Sequence, residues 1–334
     1  MHPELFRIPF TQLTVKSYGL MMVIGFLAAA HIIRRLSRNI TPDPQMITNA
    51  SLYCLVAGVV GARIFYVLHY FGRFRDDLTS AVAIWDGGLE LLGGVIGALL
   101  VIFIYLRYHK LPVRQYFDIL ITGLMLTLAF GRIGCFLSGC CFGKPAELPW
   151  AVRFPYGSDA YYSQVFPDGT RNRPEPQLKL PSEFFETFEK NGNSFLRLKP
   201  LDRLTDLQKQ QVTSGPYRCL RVHPTQLYSS IDAAILTLLL YLFWKRSQNA
   251  QKSKISKSFS KPGSTFALMF IIYGFVRFFE EFLRDDNPFE YGWWTIYKGG
   301  TISQNISIYM FILGVVLMLI FQKLPPDNPS SNAR

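Results

Sequence analysis

Seven long apolar stretches, separated by short polar joints and one long polar block, constrain this chain more than any other feature. They cover residues 17–33, 48–70, 89–108, 116–136, 225–244, 262–283 and 303–323. Each is about 20 residues, the length of helix that crosses ~30 Å of hydrocarbon. A soluble helix of that length carries a charged outer face, whereas residues 119–130 and 235–244 are apolar all round. The pattern predicts an all-α polytopic membrane protein of about seven transmembrane helices, with a small external head between spans four and five. The expected divisions are 1–137 (spans one to four), 138–222 (head), 223–324 (spans five to seven) and 325–334 (cytoplasmic tail). Within the head, the turn-rich sequence leaves room for two short helices, near 182–190 and 201–211. No secretory signal pattern, a basic n-region followed by a small-residue cleavage site, is expected before the first span.

Charge supplies the orientation. The chain has 35 Lys+Arg against 23 Asp+Glu, a net +12, which fits either a nucleic-acid surface or a membrane protein with basic loops. The first joint carries Arg34, Arg35 and Arg38, and the third carries Arg107, Lys110 and Arg114. The fifth carries Lys245, Arg246, Lys252, Lys254, Lys257 and Lys261. With Lys323 and Arg334, and with Asp43 and Asp327 as the only acids, the odd joints and tail hold the whole net charge. The second and sixth joints mix both signs. The odd joints are therefore read as cytoplasmic, placing the N-terminus outside and the C-terminus inside. No nucleic-acid partner is expected; the lysine-rich fifth joint reads as retention against anionic lipid. Composition also excludes a disordered chain, being 49% hydrophobic, and five cysteines are too few for a disulfide miniprotein.

Ionisable residues inside spans are costly and mark function. Arg63 lies within span two, Arg132 near the end of span four and Asp232 in span five. In span six, Tyr273, Arg277, Glu280, Glu281 and Arg284 fall on one face about 100° wide. Arg277 and Glu281 are spaced i,i+4 for pairing. Arg132 and Arg277 each lie about 15 residues into spans running the same way, hence ~22–24 Å from the cytoplasmic edge. Two arginines at that depth need an anion. Glu281 serves one, and the other is free for a phosphate, which a guanidinium binds bidentately. Phosphates in an outer leaflet belong to phospholipids, so membrane lipid is the expected ligand. The glycines Gly87, Gly88, Gly93 and Gly94 permit close helix packing or close approach of a ligand to backbone.

Motifs in order along the membrane part carry a resemblance. They are Tyr18-Gly19-Leu20, Gly61-Ala62-Arg63-Ile64, Trp85-Asp86-Gly87-Gly88 and Gly93-Gly94-Val95-Ile96-Gly97. They continue with Gly131-Arg132-Ile133-Gly134 and Gly143, then His223-Pro224-Thr225-Gln226-Leu227-Tyr228, then Tyr273-Gly274 with Arg277, Glu281 and Arg284. This sequence resembles the prolipoprotein diacylglyceryl transferase family. The resemblance implies a bacterial inner-membrane enzyme of lipoprotein biosynthesis. Such an enzyme moves diacylglyceryl from phosphatidylglycerol to the lipobox cysteine of exported prolipoproteins, making a thioether and releasing glycerol phosphate. It implies a catalytic group of Arg132, Arg277, Glu281 and Tyr273. It implies lipid contacts from Tyr18, Arg63, Gly87, Gly88, Gly93, Gly94, Gly134, Gly143, His223, Gln226, Tyr228 and Arg284. No cofactor and no metal are expected.

The sequence departs from the family pattern at defined places. The usual histidine before the second Gly-Gly is Leu92. Positions usually held by asparagines and a glutamate after Gly131-Arg132 are Cys135, Ser138 and Cys140, and a usual glutamate after Gln-Leu-Tyr is Ser229. Two readings follow: a divergent transferase using Glu281, Glu90 or a phosphate oxygen as base, or a non-catalytic or altered-specificity phospholipid-binding membrane paralogue. Cys135, Cys140 and Cys141 lack the paired C-x-x-C spacing of a zinc site. Cys140 or Cys141 is instead placed to pair with Cys219 in a disulfide across the feet of the head, an oxidising location.

Overall fold

A computed structural model describes residues 4–7, 14–40, 43, 45–74, 78–82, 90–190, 193–252 and 260–325. Among them the helices are α1 (Ser17–Ser37), α2 (Gln45–His69), α3 (Leu91–Tyr108), α4 (Val113–Ser138), α5 (Asp159–Val165), α6 (Asp206–Thr213), α7 (Thr225–Lys252), α8 (Ser264–Glu280) and α9 (Ile302–Lys323). Helices α1, α2, α4, α7 and α9 are long and apolar enough to cross a membrane, and α3 has a shorter apolar run. This is a mostly helical, multi-span membrane protein, and each predicted apolar stretch overlaps one of the seven longer helices.

The expectation of an all-α fold needs correction. Strands β1 (Glu4–Arg7) and β2 (Thr14–Lys16) pair antiparallel, as do β3 (Phe185–Lys190) and β4 (Asn193–Leu198). The second hairpin replaces the helix expected at 182–190, of which only a 3-10 turn at Ser182–Phe184 is helical. Alternation explains it: Phe185, Thr187 and Glu189 take one face and Glu186 and Phe188 the other, the period of a strand. Cross-strand pairs then form, with Phe188 and Phe195 rings 5.7 Å apart and Glu186 on Arg197 at 2.6 Å. The second expected helix begins later than foreseen. Pro200 leads a 3-10 turn, and α6 starts after Thr205, whose hydroxyl and Gln208 form a capping box.

The chain forms two compact units. The first holds α1 up to Leu27, Leu124–Tyr241 and Ala267–Leu317. In it, Ser230 Oγ at the start of α7 donates to the Ala129 carbonyl of α4 at 2.9 Å. The polar segment between α4 and α7 has its own core around Phe142, Phe154, Tyr161, Val165 and Leu198, all nearly fully buried. Tyr161 sits in that core because its hydroxyl donates to the Tyr217 carbonyl at 2.7 Å.

The second unit holds Ala28–Gly123, Leu242–Phe266 and the chain from Met318. Helices α2 and α3 meet in it on small residues. A Cβ on Gly93 would fall 2.4 Å from the Gly61 carbonyl oxygen, and one on Gly94 would fall 3.0 Å from that of Gly58. Backbones that close exchange dispersion contacts no larger residue permits. Buried Asp118 of α4 accepts from the amides of Gly263 and Phe266, each at 2.8 Å, and so caps the start of α8. A carboxylate at the positive end of a helix is stabilised there.

Candidate active site

Three helices of the first unit surround a cavity of about 110 Å³. Helix α4 contributes Arg132, α7 contributes Ser229 and Asp232, and α8 contributes Tyr273, Arg277 and Glu280, while the remaining walls are apolar. Arg132 and Arg277, matched in depth by the sequence, thus face one space. Asp232, Val276 and Glu280 also line a more open groove of about 520 Å³ with Tyr228, Phe275, Phe279 and Leu283. Phe275 and Phe279 are over half exposed, so the groove is floored by carboxylates and walled by rings.

The charges of α8 are paired in a row. Arg277 Nη2 lies 2.6 Å from Glu281 Oε2, and its Nη1 lies 3.8 Å from Glu280 Oε2. After Glu280 the helix tightens into a 3-10 turn at Glu281–Leu283. Three residues per turn bring Arg284 back over Glu281, with Nε at 3.6 Å. Arg284 also grips Asp286 with two nitrogens, at 2.8 and 2.5 Å. Glu281 Oε1 accepts from Asn287 at 2.5 Å and Thr301 at 2.8 Å, and Ser229 donates to Glu280. Arg132 differs. Its Nε is buried without a hydrogen-bond partner, and no ion pair forms on it among the described residues.

Beyond Arg132 the chain leaves α4 through Gly139 (φ +83°) and Cys141 (φ +60°). The first turn of α7 holds this loop: Gln226 Nε2 donates to the Cys140 carbonyl at 2.7 Å and Thr225 Oγ1 to that of Cys141 at 2.9 Å. The sulfurs of Cys135, Cys140 and Cys141 lie within 4.8 Å of one another. All five cysteines carry free thiols, so the expected link to Cys219 is not formed. The Cys219 thiol is buried in the core of the polar segment and donates to Gln164 Oε1 at 3.3 Å; burial also raises its pKa.

Comparison with known proteins now bears on this geometry. The family model described as prolipoprotein diacylglyceryl transferase matches residues 3–320. The chain belongs to the prolipoprotein diacylglyceryl transferase family. Its relatives include the phosphatidylglycerol–prolipoprotein diacylglyceryl transferase of Clostridium tetani, 26% identical over 96% of this chain and 98% of that one. The protein of the same name from Prochlorococcus marinus strain NATL1A is 27% identical over 99% and 95%. That from Methylococcus capsulatus is 38% identical over 46% of this chain and 60% of its own.

In this diacylglyceryl transferase family member, the residues expected at the site divide between the units. Tyr18 lies in the first unit: its Cα and ring are 3.2 Å from where a Cβ on Gly134 would stand, so that glycine lets α1 and α4 touch. Gly143 bridges Arg284, and its amide donates to the His223 carbonyl at 3.2 Å. A Cβ there would fall 2.6 Å from that carbonyl and from His223 Cβ. Tyr228 accepts from Trp150 Nε1 at 2.7 Å and lies 3.4 Å from His223 Nδ1. Arg63, Gly93 and Gly94 belong to the second unit. Arg63 donates to the Ala81 and Ser80 carbonyls at 2.8 and 2.7 Å and lies over the Tyr66 and Phe74 rings, while the glycines pack α3 on α2. Gly87 and Gly88 lie outside the described residues, as does the side chain of Leu92.

Sequence reasoning missed two groups. Asp285 pairs with Arg171 at 3.2 Å and with Arg173 at 2.8 Å, tying the polar segment to the chain beyond α8; a carboxylate 112 residues from Arg173 gives no local signal. The Thr301 bond to Glu281 spans 20 residues and the Asn287 bond six, and neither falls at a helical spacing. In the sequence, Ser229 stands out only as the position where the family pattern usually has a glutamate; the structure places it on the cavity, bonded to Glu280.

Proposed function

We propose that this chain transfers the diacylglyceryl group of phosphatidylglycerol to the lipobox cysteine thiol of exported prolipoproteins. The observation that carries the reading is the pair of arginines on one cavity, Arg277 partnered by Glu281 and Arg132 with no partner of its own. Arg132 takes the headgroup phosphate directly, and Arg277 shares its charge between Glu281 and the phosphate. The groove past Phe275 and Phe279 admits the acyl chains from the bilayer, leaving the headgroup in the cavity. The acceptor sulfur then attacks the glyceryl carbon bonded to the phosphate oxygen. A carbon–sulfur bond forms, the carbon–oxygen bond breaks, and the electron pair leaves on the phosphate as glycerol phosphate departs. Fixed cations aimed at that growing charge stabilise it more in a dry site than in water. The thiol proton leaves with the phosphate or to solvent.

The same reading assigns seven spans, an outer N-terminus, a cytoplasmic C-terminus and an external polar head, in a bacterial inner membrane. Tyr273 and Glu281 belong to the reacting layer. Tyr18, Gly134, Gly143, His223, Gln226, Tyr228 and Arg284 surround it. The test uses purified protein, phosphatidylglycerol and a lipobox peptide, with glycerol phosphate release and thioether product measured together. Release with a matching mass gain on the peptide supports transfer. Bound lipid with no release sinks it in favour of a lipid-binding paralogue.

A further inference from the structure

The cysteine cluster beside Arg132 has a construction of its own. Cys135 is the last buried residue on its face of α4, and the chain folds back from there so that the Cys140 amide reaches the Cys135 carbonyl at 3.2 Å. Cys141 follows with a left-handed backbone, and its sulfur lies within 4.8 Å of the other two. Gln226 and Thr225 hold the carbonyls of the two loop cysteines. The backbone of the two loop cysteines is therefore held by a neighbouring helix, while Cys135 is held within its own. Cys135 is buried and the other two are half-buried, so part of the cluster is exposed.

Three sulfurs within 4.8 Å of one another suit a metal. Zinc–sulfur bonds of about 2.3 Å in a tetrahedron set sulfurs about 3.8 Å apart. Catalytic zinc sites keep three protein ligands and one open position. Three thiolates around Zn²⁺ carry a net charge of −1, and Arg132 and Arg284 both stand within electrostatic reach of Cys141 to offset it. A metal there would give the acceptor sulfur a way to shed its proton. A thiol of ordinary pKa near 8.5 is a poor nucleophile until deprotonated. The carboxylates nearest Arg277 are committed, Glu280 to Ser229 and Glu281 to Arg277, Asn287 and Thr301.

We propose that Cys135, Cys140 and Cys141 form a three-thiolate zinc site whose open fourth position takes the acceptor cysteine and presents it as a thiolate. The proposal deepens the diacylglyceryl-transfer reading and rests on it. On coordination the acceptor sulfur loses its proton to solvent, since a metal-bound thiol is deprotonated outright. The metal-bound sulfur forms the bond to the glyceryl carbon while the carbon–oxygen bond breaks and its electron pair leaves on the phosphate. The product thioether is neutral and leaves the zinc, which stays in the +2 state throughout.

The experiment uses the full-length protein in detergent, reduced, stripped with chelator, and reloaded with Zn²⁺ or Co²⁺. One metal per chain is expected, with sulfur-to-cobalt charge-transfer bands in the cobalt form and three sulfurs at about 2.3 Å in zinc X-ray absorption. Adding a lipobox-cysteine peptide raises that to four sulfurs. Cys135→Ser and Cys140→Ser lose the metal, whereas Cys54→Ser and Cys219→Ser keep it. Reduced wild-type protein that stays metal-free in excess zinc overturns the site, as does metal retained by the triple serine variant. Full transfer by the stripped protein, or no fourth sulfur with peptide, overturns thiolate delivery and leaves the transfer reading standing. A zinc-loaded chain that binds the peptide through a fourth sulfur but makes no thioether supports the site and overturns the transfer reading.

Discussion

Arg173 donates to Asp285 at 2.8 Å and so fastens the polar segment to the residue that follows Arg284. Arg171 adds a second bond to Asp285 and donates to the Arg284 carbonyl at 3.1 Å. The placement of Arg284, and through it Glu281, depends on charges about 110 residues away. Asp285→Ala leaves buried Arg171 without its carboxylate and Arg173 with only Asp168, at 3.6 Å. Removing one partner of a buried ion pair costs about 3–5 kcal/mol. Thermal unfolding of the purified protein should show a clear fall in midpoint; an unchanged midpoint would falsify the fastening role.

Arg132 and Arg277 separate cleanly by stability. Arg277→Ala removes the 2.6 Å partner of buried Glu281, which keeps only Arg284 at 3.6 Å as a counter-charge, and should lower both the melting temperature and glycerol phosphate release. Arg132→Ala breaks no pair among the described residues, so its melting temperature should stay near wild type. Its turnover should still fall by roughly 10²–10³, the loss typical of removing one donor from a developing anion. Measuring the melt and the release on the same preparations decides the matter, and a destabilised Arg132→Ala would count against an unpaired guanidinium.

His223 gives a pH signature. It is half-buried, and desolvation lowers its pKa below the usual 6.5. The unfolded chain therefore takes up the proton first as pH falls through 6.5, and the folded state loses stability until its own His223 protonates. Above pH 6.5 the contribution is flat. A pH series of melting midpoints should show an acid-side decline in wild type that His223→Gln reduces; parallel curves for the two proteins would exclude it.

Gly143 is a packing requirement. Gly143→Ala drives a methyl into His223 at both its Cβ and its carbonyl, and overpacking of this kind costs about 1–3 kcal/mol. Because the same strap leads from Cys141 to Arg284, lipid-dependent activity should drop further than the melt alone accounts for. Equal losses in both would reduce Gly143 to a purely structural position.

The membrane part was readable because hydrocarbon imposes simple rules: each helix needs its apolar length, and each internal charge needs a partner. The i,i+4 spacing of Arg277 and Glu281 led directly to their 2.6 Å contact. The polar segment obeyed no such rule. Its hairpin carried a readable signal in Asn191-Gly192 between two alternating runs, but Glu183, Glu186 and Glu189 at three-residue spacing look equally helical. The convergence of Cys135, Cys140 and Cys141 was hidden for a different reason. Spacing along the chain says nothing of a loop that reverses through a left-handed residue.

That left-handed residue has a thermodynamic consequence. A side chain at φ +60° costs about 1–2 kcal/mol relative to an ordinary backbone, a penalty glycine does not incur. Cys141→Gly should therefore melt higher than wild type while losing a thiol from the cluster. Position 141 would then sit below its own stability optimum, the mark of a site where a fold gives up robustness to keep a reactive atom in place.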